Sequence, residues 1–195
     1  MTGKPLEGVR IGFAITGSFC TFHRIFPQME KLAEMGAMLT PVFSRIAYET
    51  DTRFGKAEEH ICRAEAICGR RVIHTVAEAE PIGPGKLLDL MIVAPCTGAT
   101  LARLAQGVTD TGPAMAVKAH LRNERPVLLA PSTNDGLTGS AVNLGVLLGR
   151  RHMFFVPFGQ DDPQGKPASL VADMEKIPEA AMAALAGKQI QPMLI

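Results

Sequence analysis

Residues 87–95, LLDLMIVAP, narrow what this chain can fold into more than any other stretch. Apart from Asp89 the run is apolar at odd and even positions alike, so a strand built from it has no face to offer to water. Such a strand belongs inside a parallel sheet with helices on both sides. A sheet open to solvent on one face would ask for strict alternation instead. VRIGFAIT (9–16), AMLTPVFS (37–44), PVLLAPS (126–132) and HMFFVPFG (152–159) read as short buried strands of the same kind.

Longer amphipathic stretches separate these runs. The pattern predicts strands at about 9–16, 38–43, 88–94, 126–131 and 153–157. It predicts helices over 22–36, 56–69, 97–107, 112–123, 137–149 and 171–187, with Gly36 and Gly69 as stops. Pro27 implies a kink or a late start in the first of these helices, and Pro178 a break in the last. Strand–helix alternation predicts a doubly wound, Rossmann-like α/β fold: a parallel sheet in three α/β/α layers. At 195 residues, 1–195 is expected to form a single domain.

Composition removes whole classes of function. A formal net charge of +1 and the lack of basic runs give no footprint for nucleic acid or an anionic membrane. No stretch reaches transmembrane length, and MTGKPLEGVR has no continuous apolar core, so a cytoplasmic protein is expected. Cys20, Cys62, Cys68 and Cys96 show no CxxC spacing, so no metal site or disulfide framework is indicated. Cys62 and Cys68 should face different sides of their helix.

The unusual residues sit where predicted strands end, the place where doubly wound sheets bind ligands. ITGSFCTF (15–22) puts Gly17 and Ser18 between strand and helix, where free amides and the helix dipole suit a phosphate. An ordinary strand–helix turn reads the same. Ser44 is a turn cap or a second phosphate donor, and Thr97 can cap the helix that Gly98 keeps slim. Asp110 reads as a helix cap rather than a base. His60, His74, His120 and His152 have no visible partner and read as structural.

DLMIVAPCTGATLARLAQGVTDT (89–111) is similar to the "APASANT…GIADN" signature of the flavin-dependent cysteine decarboxylase (flavoprotein) superfamily. PVLLAPSTND (126–135) resembles its "PAMN" loop. The resemblance implies that Gly17, Ser18, Phe19 and Ser44 hold the phosphate of FMN. It places Ala94, Pro95, Cys96, Thr97, Gly98 and Thr100 at the flavin ring and Asn134 at the substrate. Four departures stand out. Thr97 and Ala99 replace a serine and an asparagine, and Thr133 replaces a methionine. No histidine stands about nine residues before Asp89, where decarboxylating members carry their proposed base; His74 is too far back.

GSFCTF, APSTNDGLTGSAVNLG and HMFFVPFGQDDP resemble one branch in particular, the B subunits of an oxidoreductase of spore-forming bacteria. That branch implies oxidation of a dihydrodipicolinate-type dicarboxylate beside an A subunit that carries the NADP-binding domain. The chain would then be inactive alone and belong to the mother cell. The superfamily builds its sites between subunits, so a homo-oligomer is expected, with MFFVPF as a possible interface. His23, Arg24, Arg45, Lys118 and Arg122 are the candidate cations for a dicarboxylate, and Cys96 is either a ring contact or a packed thiol. Catalytic residues are not assigned. The alternatives are a flavin-dependent decarboxylase, disfavoured by the missing histidine, and a non-catalytic anion-binding scaffold.

Overall fold

The computed structural model describes residues 3–195. The expected single domain, 1–195, takes in residues 1 and 2, which lie outside the described residues. Five strands run parallel: β1 (Arg10–Ile15), β2 (Met38–Phe43), β3 (Leu90–Cys96), β4 (Val127–Thr133) and β5 (Met153–Phe155). Their spatial order is β2-β1-β3-β4-β5, so the order reverses between β1 and β3. Every residue of β3 is buried, as its two-faced apolar sequence requires. The close approach of β1 and β3 depends on Gly12, where a Cβ would stand 2.5 Å from Met91 Sδ.

The helices are α1 (Phe22–Glu34), α2 (Arg45–Glu49), α3 (Ala57–Cys68), α4 (Val76–Ala79), α5 (Gly98–Gln106), α6 (Gly112–Leu121), α7 (Ala141–Leu148) and α8 (Ile177–Leu185). Contacts place α1 and α8 on one side of the sheet, with α3 against α1, and α5, α6 and α7 on the other. This is the three-layer arrangement the alternation predicts. Gly69 and Gly107 end α3 and α5 in the left-handed conformation, at φ 62° and 73°, which suits a residue without Cβ.

Three expectations need correction. α1 starts at Phe22, five residues before Pro27, so the proline does not delay it. Its buried stripe of Phe22, Ile25, Phe26, Met29 and Leu32 holds the helix against the sheet despite the missing amide. The expected helix over 171–187 is shorter. Its first residues form β7 (Leu170–Ala172), which pairs antiparallel with the end of β4 and with β6 (Phe158–Gly159). Pro178 then lies in the first turn of α8, where its absent N–H has no partner to lose. Finally, MFFVPF buries Met153, Phe155, Val156 and Phe158 within the chain's own core and so offers little to an interface.

Among the described residues no helix is long and apolar enough to cross a membrane, and no group of metal-ligating side chains is gathered.

Candidate functional site

A cleft of about 930 Å³ opens where the strand order reverses. Thr16 and Gly17 follow β1; Ser44, Arg45, Ile46, Glu49 and Thr50 follow β2. His74, Thr75 and Val76 form a third wall. Thr97, Ala99, Thr100 and Arg103 come from the start of α5, and Asp110, Thr111 and Gly112 from the entry to α6. The crevice beyond the carboxyl ends of the strands at such a reversal is the usual ligand position in open α/β sheets.

Local chemistry builds these walls. The Thr16 hydroxyl donates to the Pro95 carbonyl at 2.6 Å and accepts from the Thr97 amide at 3.1 Å, locking the end of β1 to the end of β3. Thr97 then caps α5 by accepting from the Thr100 amide at 3.3 Å. Thr111 caps α6 in the same way, through the Ala114 amide at 3.3 Å. Two helix N-termini therefore meet the cleft, and their unpaired amides favour a negative charge there. Gly17 keeps the opposite wall low: a Cβ would stand 2.8 Å from Ile46 Cγ2. At Gly112 a Cβ would stand 2.8 Å from the His74 carbonyl oxygen, so α6 starts hard against residue 74.

Each ionisable group of the cleft has a companion. Arg103 Nε donates to Asp110 Oδ1 at 2.8 Å, which holds the Asp110 carboxyl below its ordinary range. Asp110 is thus the partner of Arg103; the helix cap expected of it is supplied by Thr111. Arg45 Nε donates to Glu49 Oε2 at 2.8 Å in the open. The His74 ring stacks on Tyr48 at 3.8 Å with 3° between planes. Its Nδ1 lies 3.3 Å from Glu78 Oε2 and is a buried atom without a hydrogen bond. The Glu78 carboxylate is already occupied by the amides of His74 and Thr75, each at 3.0 Å, which lower its pKa.

The residues named from sequence divide sharply. Gly17, Ser44, Thr97 and Thr100 line the cleft. Ser44 also caps α2, accepting from the Ala47 amide at 3.3 Å, so its cap reading holds. Ser18 turns away and shares a 2.8 Å hydrogen bond with Ser132, while Phe19 packs on Phe22 at 5.1 Å. Ala94, Pro95 and Cys96 are enclosed in β3 and present no surface to a ligand. Burial pushes the Cys96 thiol up and favours its packed reading over a ring contact. Gly98 faces the turn after β4, where a Cβ would meet Ser140 Oγ at 2.5 Å and Thr133 Oγ1 at 2.6 Å. Asn134 is exposed in that turn, between Thr133 and Asp135, and does not line the cleft.

Of the five candidate cations only Arg45 lines the cleft; His23, Arg24, Lys118 and Arg122 do not. Arg24 is tied to Glu175 at 2.5 Å. Two basic side chains that line it were not among these candidates, Arg103 and His74. Arg103 follows Thr97 and Thr100 at spacings of three, which puts all three near one face of α5. His74 follows an apolar pair, Val72–Ile73, and Ile73 pairs in parallel with Val42 of β2. The histidine therefore stands at a strand-like end, level with the other cleft loops. Counting back from Asp89 misses it because residues 76–82 coil into α4 and a 3-10 turn. The partner that His74 lacked in sequence is Tyr48, and its ring lines the cleft. His120 keeps its structural reading: buried, with Nε2 3.0 Å from the Pro126 carbonyl, its pKa is lowered to about 4 by desolvation.

Known proteins share this architecture. A model of the flavoprotein family matches residues 2–162. The chain is 45% identical over 192 residues to the dipicolinate synthase B subunit of Bacillus subtilis (strain 168), covering 98% of this chain and 96% of that one. The crystal structure of the dipicolinate synthase B subunit from Bacillus halodurans C superposes with a TM-score of 0.90 at 44% identity, covering 97% of each chain. An FMN-dependent cysteine decarboxylase superposes with a TM-score of 0.69 at 18% identity, covering 93% of this chain and 99% of that one; at that identity the fold alone is shared. With the family model matched over most of its length, and a relative 45% identical, the chain belongs to the flavoprotein family.

Proposed function

We propose that residues 1–195 act as one flavoprotein-like domain, a B-type subunit of dipicolinate synthase that holds FMN in this cleft. It takes part with a nicotinamide-binding A subunit, the carrier of NADP, in oxidising dihydrodipicolinate to dipicolinate in the mother cell of a sporulating bacterium. The chain assembles as a homo-oligomer and is inactive without that partner. The carrying observation is the cleft itself. Its volume of about 930 Å³ is cofactor-sized, whereas a scaffold that binds a bare anion needs only a helix end.

The residues fit a flavin mononucleotide. Gly17 leaves room for close approach, and the N-termini of α5 and α6 supply amides and positive potential for its anionic end. Ser44, Thr97 and Thr100 add hydroxyls. A bound flavin would supply the hydride acceptor. Arg45 and Arg103 meet the substrate carboxylates, and Asp110 holds Arg103 in place. Oxidation of a dihydropyridine also releases a proton, and His74 is the side chain of the cleft suited to take it. Asn134 lies outside this chain's own cleft, so it orients the substrate from the turn after β4 of a neighbouring copy in the homo-oligomer.

The test is reconstitution. The purified chain should show flavin absorbance in the visible, and should form reduced nicotinamide with substrate only when the nicotinamide-binding partner is added. The Asn134→Ala variant should fold normally and lose activity in the pair. Equal turnover by the nicotinamide-binding partner on its own would establish the scaffold instead. A second reading, flavin-dependent decarboxylation, gains from one observation: a histidine does stand in the cleft, at position 74. Release of carbon dioxide from a peptide ending in cysteine would establish it.

A further inference from the structure

Arg103 also lines a second hollow, of about 170 Å³, between α5 and α6. Leu104, Val117, Leu121 and Met153 give it an apolar floor. The charged groups around it are Arg103, Lys118 and Arg150, and among the described residues no carboxylate lines it. Arg150 is fixed on the rim, donating to the Leu104 carbonyl at 2.8 Å and the Ala105 carbonyl at 2.5 Å. Lys118 is exposed and extends from α6.

Size and charge together define what such a place takes. An aliphatic cavity of about 150 Å³ accepts a benzene ring. A hollow of this volume therefore suits one six-membered ring and nothing much larger. Arg103 is paired with Asp110 and Arg150 with two carbonyls, so a purely apolar ligand would leave Lys118 unanswered, and a bare inorganic anion would leave the floor unfilled. We propose that the hollow is a second ligand site, for a small aromatic carboxylate. The ring lies on Val117, Leu121 and Met153, and the carboxylate meets Lys118 and Arg150 at the rim. The product of the reaction proposed above belongs to that chemical class, and Arg103 lines both cavities, so occupancy would report product to the cleft. That consequence rests on the proposed function; the site itself does not.

Titration of the purified chain with benzoate, read by methyl NMR, tests this. Saturable shifts are expected at the methyl groups of Met153, Val117 and Leu121, with those of Ile46 and Val76 in the cleft unmoved. The uncharged analogue benzyl alcohol gives up both charged contacts and should bind about twentyfold more weakly, about fivefold for each. Lys118→Met, on an exposed position that the fold does not need, should lower benzoate affinity about fivefold and leave benzyl alcohol unchanged. Absence of saturable shifts overturns the proposal. So do shifts confined to the cleft, or equal affinity for benzoate and benzyl alcohol.

Discussion

Replacing Gly98 by alanine sets two physical effects against each other. Gly98 opens α5, and helix propensity taken alone favours alanine there by up to about 1 kcal/mol. Packing says the opposite. The new Cβ would stand 2.5 Å from Ser140 Oγ, 2.6 Å from Thr133 Oγ1 and 2.9 Å from Asp135 Oδ1. Neither hydroxyl is free to swing away, because Thr133 and Ser140 both donate to Asp135 Oδ1, at 2.5 and 2.8 Å. Relief requires shifting the whole turn after β4 or giving up one of these hydrogen bonds. Overpacking of this kind costs about 1–3 kcal/mol, while the lost hydrogen bond adds little because Asp135 is exposed. Less the propensity gain, the net cost is about 1 kcal/mol, a fall of about 3 °C in Tm for a domain of this size. Gly145, inside α7 with nothing within 4 Å of a Cβ, is the control. Gly145→Ala should raise Tm by about 2 °C, since only the propensity gain operates there. Thermal unfolding by circular dichroism decides. If Gly98→Ala melts at or above the unchanged protein, the close approach of α5 to the β4 turn is not as described.

A bulky residue at Gly17 should close the cleft without unfolding the chain, because the side chain its Cβ crowds, Ile46, is 55% exposed and can give way; Gly17→Phe that still binds flavin by absorbance would move the cofactor elsewhere. Asp89 takes two hydrogen bonds from the Arg10 guanidinium, at 2.7 and 3.0 Å, and one from Arg125 at 2.9 Å, and the Arg10 bonds chiefly hold its carboxyl below the ordinary range. Its stabilisation is therefore full above the unfolded value of 3.8 and disappears as pH falls through the lower folded one. Asp89→Asn should cost about 1–2 kcal/mol at pH 7 in urea unfolding, and a difference that persists unchanged at pH 2 would refute the account. Cys96 should resist alkylation in the native protein while exposed Cys62 reacts, as followed by mass spectrometry. Equal rates would put the Cys96 thiol at a surface.

Periodicity and capping made the elements legible. The two-faced run at 87–95 placed β3 in the sheet interior, and the Gly69 stop of α3 needed no tertiary information. The cleft was legible in part: Gly17, Ser44, Thr97 and Thr100 were named because strand ends and N-caps are local features. The partners of Ser18 and Phe19 were not legible: Ser18 bonds to Ser132, 114 residues away, and Phe19 packs on Phe22. Asp110 went the same way: its first local reading, a cap, lost to Arg103 on the preceding helix.

By itself, then, the order of amino acids determined the five parallel strands and the main helices between them, though not the antiparallel pair β6 and β7. Hydrophobic period and backbone propensity act over a few residues and can be read there. Only the tertiary structure decided which loops share a wall. Thr16 reaches Pro95 across 79 residues, and Ile73 pairs beside Val42, bringing His74 level with α5 and α6. Those meetings depend on which strand lies beside which and on where the chain between them coils. That is a property of the closed sheet, and no window of sequence contains it.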